Sequence, residues 1–532
     1  MGSAMPHVDL PPELLAHIVS YLVPEGPLSP YASISRDWQY AVEAHTFSSL
    51  RFETGGLTKF ERLVADSHVH RRAAVRSIGF TAVLPAYDDI ACAQFEKEVD
   101  KQANNESFSV SIQRLFSALA KCDDVANARP IKLLLHAPYS PMDRGHRDHI
   151  HPIRSDKGSE IGLLGHNTDW TQFWKYKERR KALGDLYEHR YQHSYLRLLD
   201  PGKLPAIRRI HTFHALVNEF RYVEPATIVH MSRKMPNLQN DYWRFFDGEQ
   251  KLSGLRTRLR VQMAEALALI VEEHSHAVRG VRMELIDPGP LNESFTLPDV
   301  RGESQDGDAL SLQLSRYLKS EHLVNVQLDG PIVVGPELFS LSGGEGATLW
   351  PNLEKFLLSF STHRPDGGWY FERDPTTPPG SPDPDEEARE GSESEEESDS
   401  AFDSDESFFE VDPAKPDHYD EEKEERLQGL KPIICFRTQP NAHLETFLRS
   451  MAVAVGRMPK LRRFCAGADF SGCKRTGYAR QTFEFDYIAS QDNREKARLR
   501  WVVPQGWRMD EPLEKLWERM IGVNGTVDYE EW

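Results

Sequence analysis

The sequence predicts an α/β chain: a short all-helical module, then helix-strand units stacked into an irregular solenoid, broken by an acidic insert that does not fold. Three observations carry this reading. A helical stretch, a Pro-x-Leu or Pro-x-Ile turn and a short strand recur along the chain. The net charge of -18 belongs to one segment, because residues 374–425 hold 22 acidic against 3 basic residues and leave 61 basic and 60 acidic elsewhere. The 532 residues, 39% of them hydrophobic with 26 Phe, 17 Tyr and 10 Trp, exceed one typical domain severalfold and can fill a large core.

Residues 1–48 make the first module. Pro11 or Pro12 suits a first helical turn, Glu13 favours its positive end, and Leu14, Leu15, Ile18 and Leu22 form one apolar stripe. The loop Pro24-Glu25-Gly26-Pro27 leads to a second helical stretch at 31–42 that runs into a third. About forty residues cannot hold three helices on a core of their own, so the stripe is expected to pack against a partner.

Residues 49–200 hold an α/β linker region and the first repeats, and 201–373 a repeat-like α/β region expected to bind substrate. The repeating signal stands at Leu204-Pro205-Ala206-Ile207, Met235-Pro236-Asn237-Leu238, Trp350-Pro351-Asn352-Leu353 and Met458-Pro459-Lys460-Leu461. Two further units, with strands near 281 and 324, lack the proline. Proline is expected to end each helix and the next Leu to start the strand on its buried side. Such units bury their apolar faces only by stacking into a parallel sheet covered by helices, although an ordinary α/β domain uses the same punctuation.

The insert, 374–428, opens on Pro375, Pro378 and Pro379 and continues as acidic low-complexity chain, too poor in apolar side chains to offset the entropy of ordering. Ser392, Ser394 and Ser400 each have an acid three residues on, which resembles acid-directed kinase sites; an inert spacer is the alternative. Residues 429–532 supply a C-terminal repeat, a hairpin at 482–488 and 497–503, and a short helix opened by Asp510 and Glu511.

The module resembles an F-box. Leu10, Pro11, Glu13, Leu14, Leu15, Ile18, Tyr21, Leu22, Ile34, Ser35, Arg36 and Trp38 match that pattern, and the proline-rich loop ending at Pro30-Tyr31 departs from it. Leu84-Pro85-x-Tyr87, Asn104-Asn105-x-x-Phe108, Leu133-Leu134-Leu135 and Ser140-Pro141-Met142-Asp143 extend the likeness to the uncharacterised F-box proteins of filamentous fungi. That resemblance implies an F-box followed by a leucine-rich-repeat-like region, with Leu10, Pro11, Leu14, Leu15, Ile18, Leu22, Ile34 and Trp38 binding Skp1. It also implies a link through Skp1 to a cullin-RING ligase, an unknown protein substrate, and no chemistry or cofactor of the chain's own. A Skp1-binding protein acting outside a cullin ligase is the alternative. Trp243, Arg244, Trp369 and Tyr370 are the candidate substrate contacts, since Trp, Tyr and Arg dominate binding hot spots; a core role is as well supported for each.

Other constellations point elsewhere and are weaker. His146-x-x-His149-x-His151, near Asp143 and Asp148, could ligate a metal, but its loop carries opposing cations. His189 and His193 have i, i+4 spacing, which Tyr187, Tyr191 and Tyr195 turn into the mark of a packed amphipathic helix. Five basic residues within 175–181, next to Trp170, Phe173 and Trp174, read as a solvated helix face before a nucleic-acid patch. No nucleophile elbow or phosphate loop is present, and the glycines at 343, 344 and 346 lack the Lys-Ser/Thr such a loop needs. Neither a membrane span nor a signal or myristoylation pattern is read, and five scattered cysteines suit a reducing cytoplasmic or nuclear setting.

Overall fold

The computed structural model describes residues 10–23, 26–65, 67–87, 91, 95–125, 129–143, 190–191, 193–217, 221–248, 252–273, 278–287, 293, 297–302, 307–340, 350–373, 437–470, 482–490, 496–522 and 524–532. The acidic insert with its serines, the His146, His149 and His151 cluster, His189, the 170–181 stretch and the glycines at 343–346 lie outside these residues. The chain is mixed α/β and divides into two units, Met1–Trp243 and Arg244–Trp532, the division falling inside one strand.

The first unit opens with helices α1 (Pro12–Leu22) and α2 (Arg36–Thr46), then β1 (Ser49–Glu53), α3 (Leu57–Leu63), α4 (Val69–Ala74), β2 (Ser77–Val83), α5 (Glu98–Ala120) and β3 (Ile131–Tyr139). It continues with β4 (Tyr195–Leu196), β5 (Ile210–Leu216), β6 (Tyr222–Val223) and α6 (Pro225–Ser232), and reaches the dividing strand β7 (Asn240–Phe246). β1, β2, β3 and β5 pair in parallel in chain order, with Ser49 opposite Ser77, Ser77 opposite Lys132 and Lys132 opposite Thr212. α5 buries Phe108, Ile112, Leu115, Phe116 and Leu119, the spacing of one helical stripe. Its polar residues act as a surrogate strand. Asn105 Oδ1 accepts the Arg197 N-H at 2.9 Å and Ser109 Oγ the Leu199 N-H at 2.8 Å, so the backbone that follows β4 finds its acceptors on the helix.

Arg209 closes the amino end of this sheet. Its guanidinium donates to the carbonyls of Arg72, Val75, Cys122 and Arg129, three of which lie at the C-terminal ends of α4 and α5. A buried cation there meets the negative ends of two helix dipoles.

The second unit comprises α7 (Ser253–Glu273), β8 (Gly280–Ile286), α8 (Ala309–Tyr317), β9 (Asn325–Ile332), β10 (Lys355–Phe360), β11 (Phe371–Arg373) and β12 (Arg437–Pro440). After these come α9 (Ala442–Val455), β13 (Arg463–Asp469), β14 (Thr482–Ile488), β15 (Arg498–Val503), α10 (Glu511–Ile521) and β16 (Thr526–Glu531). β8, β9, β10 and β13 are parallel and in chain order. The predicted hairpin is β14 with β15, and β14 is also antiparallel to β13. β16 returns parallel to β15 after α10, whose N-cap is Asp510 accepting from the Leu513 N-H. Along β9 and β10 every second residue is buried. Phe356, Phe464, Phe485, Trp501 and Tyr529 stack across five strands at centroid spacings of 5.2, 5.6, 4.9 and 6.5 Å. Gly330, with φ 79°, lies where a Cβ would come within 2.5 Å of the Leu285 carbonyl, so a side chain there would break the β8 to β9 pairing.

The Pro-x-Leu signal has a different cause from the one expected. Leu238 N-H bonds to Met235 O, Leu353 N-H to Trp350 O and Leu461 N-H to Met458 O, so each Pro is the second residue of a β-turn and each Leu its fourth. The Leu side chains are buried two residues before the strand begins. The proline fixes the turn rather than stopping the helix, since α6 and α9 end four residues earlier, at Ser232 and Val455. The unit without proline does the same: Leu323 N-H bonds to Ser320 O, two residues before β9. α6 to β7, α8 to β9 and α9 to β13 are all joined by seven residues.

Candidate interaction site

α1 begins with Pro12 in its first turn, and Ser35 caps α2 by accepting the Trp38 N-H. The two helices pack through Leu15, Val19 and Val42, which are the buried apolar residues of this pair. The predicted stripe is therefore divided. Leu15 points inward, whereas Leu14 is 51% exposed and Leu10 38% exposed. Ile34, just before α2, is 59% exposed; Pro11 is exposed; Ile18, Leu22 and Trp38 are half-buried, Trp38 stacking on Tyr31 at 6.1 Å. Tyr21, Val23 and Tyr40 add further exposed apolar surface. So many exposed apolar side chains on a module with so small a core mark a place for a partner.

The four candidate substrate contacts lie elsewhere. Trp243 is wholly buried and donates its indole N-H to Ser232 Oγ at 3.1 Å. Tyr370 is buried, stacked on Phe447 at 5.1 Å and donating to the Val334 carbonyl. Trp369 is buried beneath the Arg437 guanidinium, 4.8 Å from its ring. A partner cannot reach these three rings where they stand. Arg244 is partly exposed and pairs with Glu284 at 3.1 Å. In the second unit, the sheet face that is only partly buried carries ion pairs instead: Arg282 with Asp329, Arg463 with Asp486, Arg498 with Asp528 and Arg500 with Glu530.

Two buried ionic networks sit where strands end. In the first unit, Glu96 accepts from Arg221 and from Asn104 Nδ2, both at 2.5 Å, and from the Ser194 hydroxyl. Asp143 accepts from Tyr87 OH at 2.5 Å, Tyr191 OH at 3.3 Å and the Ser140 N-H at 2.7 Å. Burial raises the Asp143 carboxyl above its ordinary range despite these donors. Arg190 pairs with Asp100, lies 4.3 Å from the Tyr87 ring, and Arg221 lies 4.4 Å from Tyr191. Tyr87, Asn104, Ser140 and Asp143, noted in sequence as parts of three separate stretches, thus converge here. The stretch predicted as one amphipathic helix is not continuous: Tyr191 joins this network, whereas His193 is a turn residue with φ 60° and Tyr195 belongs to β4.

In the second unit Asp247 follows β7 and Asp287 follows β8 directly. Arg256 bridges the two at 3.2 Å each. Arg260 reaches Asp247 at 2.7 Å, Asp308 at 3.2 Å and the Val333 carbonyl at 2.8 Å. Burial raises the Asp247 carboxyl, but Arg256 and Arg260 outweigh it and leave it below the usual range. Ser361 Oγ is 2.8 Å from His363 Nδ1, and His363 Nε2 is 3.3 Å from Asp287. A serine, histidine and carboxylate in line have the parts of a nucleophilic relay. However, they are only 2%, 4% and 2% exposed, and burial lowers the imidazole to about 4, so a substrate meets neither the hydroxyl nor a competent base.

Sequence reading missed both networks. The legible mark of the second is an Asp at the end of an apolar strand run, Phe246-Asp247 and Ile286-Asp287, with Arg256 and Arg260 one turn apart on the next helix. Among the described residues no group of His, Cys, Asp and Glu could hold a metal ion, and no helix is long and apolar enough to cross a membrane. No family model and no curated protein matches the chain.

Proposed function

We propose that the chain is the substrate-recognition adaptor of a Skp1-cullin-F-box ubiquitin ligase, without catalytic residues or cofactor of its own. The observation that carries this is the outward-facing apolar set Leu10, Leu14 and Ile34, with Ile18 and Trp38 half-buried beside it, on a helical pair. Skp1 covers that face, and cullin with its RING subunit joins through Skp1. The parallel strands in chain order and the repeated seven-residue connections support a leucine-rich-repeat-like solenoid as the recognition body. Its partly open, ion-paired sheet face is the surface offered to a protein substrate, with Arg244 the one earlier candidate still able to contribute. The free thiols Cys122 and Cys465 fit a reducing cytoplasmic or nuclear compartment. No nucleic acid or membrane enters this reading.

Coexpression of the full chain with Skp1 and cullin tests it. Leu14→Glu with Ile34→Glu changes exposed residues, so the fold should persist while Skp1 no longer copurifies; truncating such anchors typically costs about 2 kcal/mol or more each. Skp1 retained by the folded double variant would defeat the assignment. Skp1 recovered without cullin would place the chain outside the ligase.

A further inference from the structure

The helical pair is joined to the α/β part of its unit twice. One joint is covalent and short, because only Phe47 and Ser48 separate α2 from β1. The other is a side-chain clamp one turn back along α2. Glu43 accepts from Arg71 Nε at 3.0 Å and from a terminal Arg71 nitrogen at 2.8 Å, in a two-pronged fork. The same carboxylate is 2.6 Å from His70 Nε2 and accepts from Gln39 Nε2 at 3.0 Å. Arg71 also lies 5.4 Å from the Phe47 ring, and the Tyr40 and His70 rings meet edge to face at 5.2 Å. The Glu43 side chain is only 12% exposed, and the Arg71 fork holds its carboxyl down at about 2.

A two-residue connection alone lets α2 turn about the backbone torsions of Phe47 and Ser48. A planar guanidinium against a planar carboxylate removes that freedom, since the paired bonds survive only in one orientation. Leu15, Val19 and Val42 are the buried apolar residues of the pair, and α2 packs on α4, the helix that carries His70 and Arg71, so the clamp lies where the pair meets the rest of its unit.

We propose that Glu43, Arg71 and His70 are positioning residues that aim the exposed face of Leu10, Leu14 and Ile34 relative to the β1 to β5 sheet. The purpose rests on the adaptor reading, in which Skp1 bound to that face must stand in a set direction from the substrate surface; the clamp itself does not depend on Skp1.

The test uses the full chain with its five cysteines replaced and nitroxide labels at Ser20→Cys on α1 and Ala103→Cys on α5, both exposed positions. Electron-electron resonance reads the spread of label distances. One narrow distribution is expected for the parent. Arg71→Ala and Arg71→Lys should each widen it roughly twofold, because lysine keeps the charge and loses the fork. Skp1 affinity should stay within about twofold of the parent, as the apolar face is untouched. An unchanged spread in Arg71→Ala would overturn the proposal. So would widening accompanied by lost hydrogen-exchange protection in α1 and α2, which would mean that the pair is held folded rather than aimed. If the parent binds no Skp1, the adaptor reading fails while the distances still decide the clamp.

Discussion

Arg260 holds Asp247, Asp308 and a carbonyl at once, and both carboxylates are buried. Arg260→Leu would leave two buried charges short of a partner, a loss of about 3–5 kcal/mol that urea unfolding followed by tryptophan fluorescence should register. His363 adds a pH term. Its folded pKa of about 4 lies below the ordinary histidine value, so between those two limits the unfolded chain binds the extra proton. Stability should therefore be complete above about pH 6.5 and fall by up to about 3 kcal/mol as pH drops towards 4. Burial lowers His211 and His230 in the same direction. His363→Asn should remove one proton's worth of the slope over that range; an unaltered slope would assign it to the other histidines.

At the scale of elements, the turns before β7, β10 and β13 give a direct test of what their prolines do. If Pro236, Pro351 and Pro459 only preset the β-turn, replacing each with Ala should cost about 0.4–1 kcal/mol, mostly through a freer unfolded chain. Leu238→Ala, Leu353→Ala and Leu461→Ala, which empty buried sites, should cost about 2–5 kcal/mol each in the same denaturation experiment. Sequence reading located these turns and the hairpin because both are local: alternation, turn chemistry and caps act within a few residues. It missed the roles of α5 and α7, whose buried faces include Asn105, Ser109, Arg256 and Arg260 and so blur the apolar stripe. Asn105 meets Arg197 and Arg190 meets Asp100 across some ninety residues, and no periodicity encodes such pairs. The site was legible to a similar depth. The apolar pattern of 10–38 marked an outward face, but not that Leu15 turns inward, nor that Trp243, Trp369 and Tyr370 belong to the core.

Across the whole molecule, both long stretches outside the described residues leave and re-enter at closed points. Asp143 and Tyr191 flank the first within hydrogen-bond distance. The second is flanked by β11 and β12, antiparallel with Phe371 opposite Pro440 and Arg373 opposite Arg437. Replacing 374–436 with a short Gly-Ser linker should therefore leave the thermal midpoint and Skp1 copurification nearly unchanged, since doubling a loop changes closure cost by only about 0.6 kcal/mol. A large drop in the midpoint would show that the segment supports the fold.

Because β11 and β12 seal the base of that segment, and β10 pairs with β13 across it, chain continuity there is dispensable to the second unit. The protein should be divisible. Two polypeptides ending and starting near Ser400, made in the same cell, should find each other through β10 with β13 and β11 with β12 and purify as one particle. A protease cut inside the segment would then be silent in size-exclusion chromatography and visible only on a denaturing gel.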